Sequence, residues 1–215
     1  MKETATLIDE RKVTLLDVGS GPEGNAGFFF PNATIFRLDA DEEFNADYVH
    51  DIREPFPKET MGRFDIVFCS HILEHVERAV SLQVIKNLKA TLKDGGELWI
   101  IVPSLEWCGK ELLKDKPSPI VLAAIYGSQE TKWQYHHTGY TLHLLRQLVE
   151  KAGLVARSAY QGPFTVTLNG TEYEALQNFM VSMRHDATDH TIEQNGSEPD
   201  LEEEVDAAKD RLVKT

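Results

Sequence analysis

The chain has 215 residues, of which 41% are apolar, and its formal net charge is −13. This length supports one sizeable core, and the acidic balance disfavours nucleic acid as a partner, because a broad nucleic-acid surface needs clustered Lys and Arg. No apolar run approaches the roughly 18 residues that span a bilayer, and the first residues lack a basic-then-apolar signal. Cys69 and Cys108 suit a reducing compartment better than a disulfide framework, so we expect a cytoplasmic protein that makes no membrane contact.

The first motif is a hydrophobic strand that ends in Asp17 and runs into two glycines, Gly19 and Gly21. Glycine lets the backbone turn sharply and approach a ligand closely, because no Cβ stands in the way. Acidic residues return about one βαβ step later, at Asp39 and Asp41, and a carboxylate at the end of the next strand can accept both hydroxyls of a ribose. Together these features predict an adenosine-containing cofactor at one end of a parallel sheet.

Strand and helix signals alternate along most of the chain, which is typical of an α/β fold with a parallel sheet. The connection through residues 28–31 is too short for a full helix, and we expect it to be irregular. A long turn-rich segment is predicted between the last two strands. The predicted strands are residues 13–18, 34–38, 48–50, 64–69, 97–102, 154–160 and 177–183.

Three helices are predicted after the fourth strand. Apolar residues at four-residue spacing from Val80 indicate a helix that ends at the glycine pair of residues 95–96. A shorter helix opens at Ser118, with proline in its favoured first position, and runs to Gly127. Thr141 is the expected N-cap of the last of the three.

The end of the chain differs in composition. From residue 186 onward it has ten acidic against three basic residues. Residues 186–200 are polar and predict a disordered linker. Beyond them, one apolar stripe predicts a short amphipathic helix, and its members are Leu201, Val205, Ala208 and Leu212. That helix is either a solvated segment that frays or a docking element for a protein partner or a second copy in a homodimer.

Five segments, in order, resemble motifs of the class I S-adenosylmethionine-dependent methyltransferases. Residues 16–21 resemble the loop under the methionine part of the cofactor, and Asp39 matches the acidic residue that binds the ribose. Asp51 begins a segment similar to the one whose aspartate contacts the adenine amino group. Residues 64–75 resemble the fourth-strand motif, and residues 92–98 resemble the glycine-rich entry into the fifth strand.

The resemblance covers roughly residues 11–184 and implies a fold, a reaction and a cofactor. The fold is an α/β, Rossmann-like, doubly wound, mostly parallel seven-stranded sheet with helices on both faces, formed by residues 1–185 before an acidic tail of residues 186–215. The cofactor is S-adenosylmethionine. The residues expected to hold it are Asp17, Gly19, Ser20, Gly21, Asp39, Ala40, Asp51, Ile52, Ser70 and His71.

The rival nucleotide-binding hypothesis is an NAD-dependent oxidoreductase. Gly19, Gly21 and Gly24 fit the G-x-G-x-x-G spacing of that class. However, Glu23 lies where a pyrophosphate would bind at the helix N-terminus. S-adenosylmethionine has no phosphate and carries a sulfonium cation, so the same carboxylate is compatible with it.

A second motif suggests a zinc site, because residues 71–75 have the sequence H-x-x-E-H, a pattern of some zinc peptidases. There the two histidines share one helical face, and the glutamate activates a metal-bound water. Here His71 follows directly on a buried strand, and no third ligand follows in a helical frame. We therefore expect these residues to form a loop that lines a methyltransferase active site without a metal. For His75, the alternative is a purely structural role at the start of a helix.

The segment of residues 126–141 is too polar for core and too aromatic for a linker. It resembles a stretch of bacterial and phage methyltransferases, which makes His136 the candidate general base and His71 the alternative. The alternative is that His136 has no catalytic role and only stabilises the loop by a hydrogen bond to the backbone. The acceptor pocket is expected from an insertion of residues 104–140, and its candidate residues are Trp107, Tyr126, Gln129, Trp133, His137 and Tyr140.

Aromatic walls with polar tips favour a small polar methyl acceptor, such as a sugar or a nucleotide-sugar. Two other classes stay open at this stage. One is an inactive S-adenosylmethionine-binding protein that acts through a partner, and the other is a binding module that has lost its ligand. Asp39 disfavours the binding module without a ligand, because the fold itself does not require a carboxylate at the position that contacts a ribose.

Overall fold

A computed structural model describes residues 12–168 and 170–185. The predicted linker and acidic helix of residues 186–215 lie outside the described residues, so both stay predictions. The strands are β1 (Thr14–Val18), β2 (Thr34–Asp39), β3 (Tyr48–Val49), β4 (Phe64–Ser70), β5 (Leu92–Pro103), β6 (Leu154–Leu168) and β7 (Thr171–Arg184). The helices are α1 (Ala26–Phe29), α2 (Arg78–Thr91), α3 (Leu105–Leu112), α4 (Val121–Tyr126) and α5 (Leu142–Lys151).

The seven strands form one sheet in the order β3-β2-β1-β4-β5-β7-β6. The five strands from β1 to β5 are parallel, whereas β7 runs antiparallel to both β5 and β6. The predicted mostly parallel α/β sheet is therefore confirmed. The chain winds outward from β1 in both directions, and ligands of such sheets bind at the carboxyl ends of the strands where that direction changes.

Each face of the sheet is covered differently. On one face, Leu16 of β1 and Val67 of β4 pack with α2 and α5 in the larger core cluster. On the other face, Leu15 and Phe68 pack with Ala26 and Phe30, in and beside the single turn of α1. The prediction of a first crossover too short for a full helix is thus confirmed. Among the described helices, none is both long and apolar enough to cross a membrane.

The last two strands are longer than predicted. Instead of a long turn-rich segment, residues 161–176 extend β6 and β7 into a hairpin. Phe164, Val166 and Tyr173 explain the difference, because they pack against α3 and α4 in a separate apolar cluster. Pro163 is tolerated because β6 is an edge strand of the sheet, where a missing N–H costs little.

Two helix boundaries also differ from the prediction. Helix α2 ends at Thr91, before the glycine pair, because the fully buried Leu92 already pairs with Phe64 of β4. Helix α4 begins at Val121 rather than near Ser118. In addition, α3 was not predicted, although the Ser104 hydroxyl caps it by accepting a hydrogen bond from the backbone of Trp107 (3.1 Å).

Helix α5 forms as predicted. Thr141 is its N-cap, and the hydroxyl accepts a hydrogen bond from the Leu144 N–H at 3.1 Å. Leu145 and Val149 are fully buried against the sheet. The helix therefore closes the core directly beside the segment that carries His136.

Candidate active site

A cavity of about 670 Å³ opens at the carboxyl ends of β1, β2, β3 and β4. Its size lies in the range of about 300–1,000 Å³ that small-molecule sites occupy. Six of the ten residues predicted to hold the cofactor line it, namely Gly19, Gly21, Asp39, Ala40, Asp51 and Ile52. The region where the sheet topology favours a ligand is therefore also the region where the motifs converge.

Gly19 turns the chain at the end of β1. Its φ is +66°, a left-handed conformation that favours glycine. A Cβ at this position would stand 2.0 Å from Cδ1 of Ile72. The N–H groups of Gly19 and Ser20 both donate to the Leu38 carbonyl, at 2.8 and 3.1 Å, and this folds the loop onto the end of β2.

Asp39 ties this loop to β2. One carboxylate oxygen accepts from the Gly21 N–H at 2.8 Å, and the other accepts from the Asp41 N–H at 3.0 Å. An ionised carboxylate has about four acceptor positions, so lone pairs stay free on both oxygens. The residue is partly exposed to the cavity, which suits the predicted contact with two ribose hydroxyls.

Asp51 forms a two-point ion pair with Arg53. Nε of Arg53 lies 3.0 Å from Oδ1, and its NH2 group lies 2.6 Å from Oδ2. These hydrogen bonds from Arg53 are the main reason that the pKa of Asp51 lies below its usual value. Both side chains line the cavity, so this wall presents a fixed carboxylate held by a cation.

Asp17 lies one layer behind the cavity. It is buried, and one carboxylate oxygen accepts from the N–H groups of Asn25 and Ala26 at 3.1 and 3.2 Å. Burial raises the pKa of Asp17 despite these hydrogen bonds. Asp17 therefore shapes the loop between β1 and α1 and does not line the cavity. Two more predicted cofactor residues do not line it, namely the buried Ser20 and Ser70 at the end of β4.

Arg37 supports the site from behind, although the sequence analysis did not predict this role. Its NH2 group donates to the carbonyls of Gly21 and Phe44, the latter at 3.1 Å, and its Nε donates to the Ser20 hydroxyl at 3.3 Å. The side chain therefore braces the glycine loop. The signal available in the sequence was a cation within the otherwise apolar stretch of residues 35–38.

The segment of residues 131–137 covers the cavity from the other side. Trp133 and His137 line the cavity together with Thr131, Lys132 and Gln134. The segment is held by the Glu74 carbonyl, which accepts from the N–H groups of His137 (2.8 Å) and Thr138 (3.1 Å). This docking joins the predicted acceptor segment to the loop after β4.

The other four predicted acceptor residues do not line this cavity. Trp107 is buried in the cluster between α3 and α4, and Tyr140 is buried with its hydroxyl donating to the Ser81 hydroxyl at 2.9 Å. Tyr126 and Gln129 are exposed. Trp107 and Tyr140 belong to the core because burial of their rings is favourable, and the Tyr140 hydroxyl keeps a hydrogen-bond partner there.

Histidines gather at the junction of the two loops. The rings of His75 and His136 meet edge to face with centroids 4.7 Å apart, and His75 also lines the cavity. Beside them lies the carboxylate of Glu74, which is 2% exposed and lies 3.3 Å from Nδ1 of His71. His71 comes just before the 3-10 turn Leu73–His75, with φ of +54°, so the two histidines of the motif do not share a helix, as predicted.

The two candidate bases differ in electrostatics. Burial lowers the pKa of His136 below the ordinary imidazole value, so this ring is neutral at pH 7. Burial alone would lower the pKa of His71 as well, but the Glu74 carboxylate and Gln177 outweigh it and raise that pKa. Of these two rings, His136 is the better proton acceptor near neutral pH.

Comparison with known proteins agrees with this geometry. The sequence matches the family model described as the methyltransferase domain over residues 2–159, whereas a search of curated proteins finds no match. The fold is similar to an S-adenosylmethionine-dependent methyltransferase of Methanosarcina mazei, at 15% identity, with 82% of this chain and 94% of that chain covered and a TM-score of 0.59. It is also similar to the 1,6-didemethyltoxoflavin-N1-methyltransferase of Burkholderia thailandensis with bound S-adenosylhomocysteine, at 16% identity, with 82% and 72% covered and a TM-score of 0.53.

Sequence identities this low show a shared fold, while the family match extends over most of the chain. The motif order, the sheet order and the cavity beside Asp39 all agree with that match. The chain belongs to the methyltransferase domain family, and it is a class I S-adenosylmethionine-dependent methyltransferase.

Proposed function

We propose that this enzyme methylates a small polar acceptor, such as a sugar or a nucleotide-sugar, bound between the segment of residues 131–137 and the histidines after β4. The observation that carries the proposal is the composition of the cavity. Asp39 and Asp51 offer carboxylates for the adenosine part of the cofactor. Trp133 and His137 line the cavity from the covering segment, and His75 lines it from the turn after β4. An aromatic ring beside groups that form hydrogen bonds suits a polar molecule with one apolar face.

The reaction requires alignment of the acceptor with the methyl group of the cofactor. A lone pair of the acceptor attacks the methyl carbon, the bond from carbon to sulfur breaks, and its electron pair stays on sulfur as a neutral thioether. The cofactor supplies the activated methyl group, and the protein positions the two reactants and shields them from water. If the acceptor is a neutral hydroxyl or amine, its proton goes to a base.

His136 is the proposed base in the protein without added ions. Its Nδ1 lies 3.0 Å from the Ala124 carbonyl, which can only accept, so Nδ1 carries the ring proton and donates it. The lone pair of a neutral ring therefore resides on Nε2. His71 stays the alternative base; neither ring lines the cofactor cavity, but the His136 ring contacts His75, which does.

A labelled-methyl screen tests this proposal. Purified enzyme is incubated with S-adenosylmethionine carrying a labelled methyl group and with sets of sugars, nucleotide-sugars, amino acids and short RNAs, and label transfer is followed by mass spectrometry. We expect transfer to a sugar or nucleotide-sugar, with turnover reduced at least 100-fold in His136→Ala and unchanged in His143→Ala, an exposed histidine on α5. Transfer only to RNA, or full turnover in His136→Ala, would overturn the acceptor class or the base respectively.

A further inference from the structure

Glu74, His75 and His136 form a compact set of metal-ligating side chains. One ligand atom from each lies within 4.8 Å of the other two. A tetrahedral ion with bonds of about 2.0–2.2 Å places its ligand atoms about 3.3–3.6 Å apart. Binding one ion therefore draws the three ligand atoms closer together, by at most about 1.5 Å.

The tautomers of the two histidines favour metal binding. Nδ1 of His75 lies 3.0 Å from the Tyr135 carbonyl, and Nδ1 of His136 lies 3.0 Å from the Ala124 carbonyl. Each Nδ1 must carry a proton to make its hydrogen bond, so each Nε2 has a free lone pair. Metal-binding histidines almost always donate their other N–H in this way, which fixes the ring and raises its basicity.

Glu74 provides the independent observation. Its side chain is 2% exposed, and within the described residues neither carboxylate oxygen accepts a hydrogen bond. A buried carboxylate without hydrogen bonds is costly unless a positive charge offsets it. The neighbouring Nδ1 of His71 lies 3.3 Å away, and the protonated His71 ring offsets this charge at one carboxylate oxygen only, which leaves most acceptor positions of Glu74 open.

From this geometry we infer that Glu74, His75 and His136 bind one divalent transition-metal ion at the acceptor end of the cofactor cavity. Two imidazoles and one carboxylate leave coordination positions open, as in catalytic zinc sites with two histidines and a glutamate, and suit Zn²⁺, Fe²⁺ or Co²⁺ better than Mg²⁺. Glu74 is buried, whereas His75 and His136 are partly exposed, and His75 lines the cavity. Of the three ligands, His75 is the one that lines the cavity, so an acceptor in the cavity would reach the ion from the side of His75.

The ion changes how the acceptor is activated, and this part rests on the proposed function. An acceptor hydroxyl at an open position becomes more acidic, because the ion acts as a Lewis acid. Its proton leaves to water, and the methyl group takes its place on the oxygen. In the ion-bound protein, His136 is therefore a ligand rather than the base.

The test measures ion binding apart from methyl transfer. The full chain is treated with a chelator and titrated with Co²⁺, by calorimetry and by the visible absorption of the ion. We expect one ion per chain, and affinity at least 100-fold weaker in both Glu74→Gln and His136→Gln. The matched control His143→Gln removes an exposed histidine on α5 and should bind Co²⁺ as the wild type does.

S-adenosylhomocysteine binding, measured on every variant, shows whether the variant is folded. If Glu74→Gln loses that binding, His136→Gln alone carries the test, because its ring is partly exposed and does not line the cofactor cavity. Absence of saturable Co²⁺ binding, or equal affinity in the wild type and His136→Gln, would overturn the ion site and leave the methyltransferase assignment intact. Ion binding without any acceptor methylation would instead refute the proposed acceptor class alone.

Discussion

Replacing Gly19 by alanine tests whether the turn after β1 depends on glycine for two separate reasons. The first is conformation, because a φ of +66° costs an L-residue about 1–2 kcal/mol. The second is space, because the new Cβ would lie 2.0 Å from Cδ1 and 2.4 Å from Cγ1 of Ile72. Overpacking of this kind costs about 1–3 kcal/mol, so Gly19→Ala should lower the free energy of unfolding by about 2–5 kcal/mol.

Gly21 offers a matched control two residues away. Its φ is +59°, but a Cβ there would meet no atom within 4 Å. Gly21→Ala should therefore cost only the conformational part, about 1–2 kcal/mol. Urea unfolding without cofactor, followed by circular dichroism, measures both variants.

A double-mutant cycle isolates the contact with Ile72. In an Ile72→Ala background, Gly19→Ala should cost about 1–2 kcal/mol, because only the backbone term remains. Equal destabilisation by Gly19→Ala and Gly21→Ala would refute a steric clash with Ile72, as would a cost of Gly19→Ala that is the same with and without the Ile72 side chain.

Three further outcomes are expected. Asp17→Ala should destabilise the chain by about 1–3 kcal/mol in urea unfolding, because the buried N–H group of Ala26 loses its acceptor, whereas the exposed Asn25 can bond to water instead; Asp17→Asn keeps one oxygen and should cost clearly less, and equal costs would contradict the loop-shaping role. In the protein without added ions, turnover should stay flat above pH 7 and fall only as the pH drops through a value below about 6.5, because burial lowers the pKa of His136; a fall that begins above pH 7 would exclude this base. The buried neutral ring also makes stability decrease as the pH falls below about 6.5, since the unfolded chain then binds more protons, and this loss should disappear in thermal unfolding of His136→Gln.

The parts of the fold predicted best are those fixed by local chemistry. The glycine turn, Asp39 and the Thr141 cap follow from short-range rules about backbone conformation and hydrogen bonding. The β6–β7 hairpin was underestimated because its extension depends on packing against α3 and α4, which no periodicity within the strands encodes. Similarly, burial of Leu92 overrode the glycine pair as the stop of α2.

The histidine cluster shows what sequence spacing cannot convey. Two backbone hydrogen bonds to the Glu74 carbonyl help to hold the segment after α4 where His136 meets His75. Backbone contacts of this kind leave no side-chain signature. The H-x-x-E-H pattern pairs His71 with His75, whereas the structure places His136, from a distant loop, beside Glu74 and His75.

Calorimetric titration of the full chain with S-adenosylmethionine and S-adenosylhomocysteine, with NAD as a control, tests the central claim most directly. We expect one micromolar site for each sulfur-containing ligand and none for NAD. Asp39→Ala should lose this binding, whereas Glu43→Ala, an exposed carboxylate nearby, should keep it. Equal binding of NAD, or no binding of either sulfur-containing ligand by the folded wild type, would contradict the account.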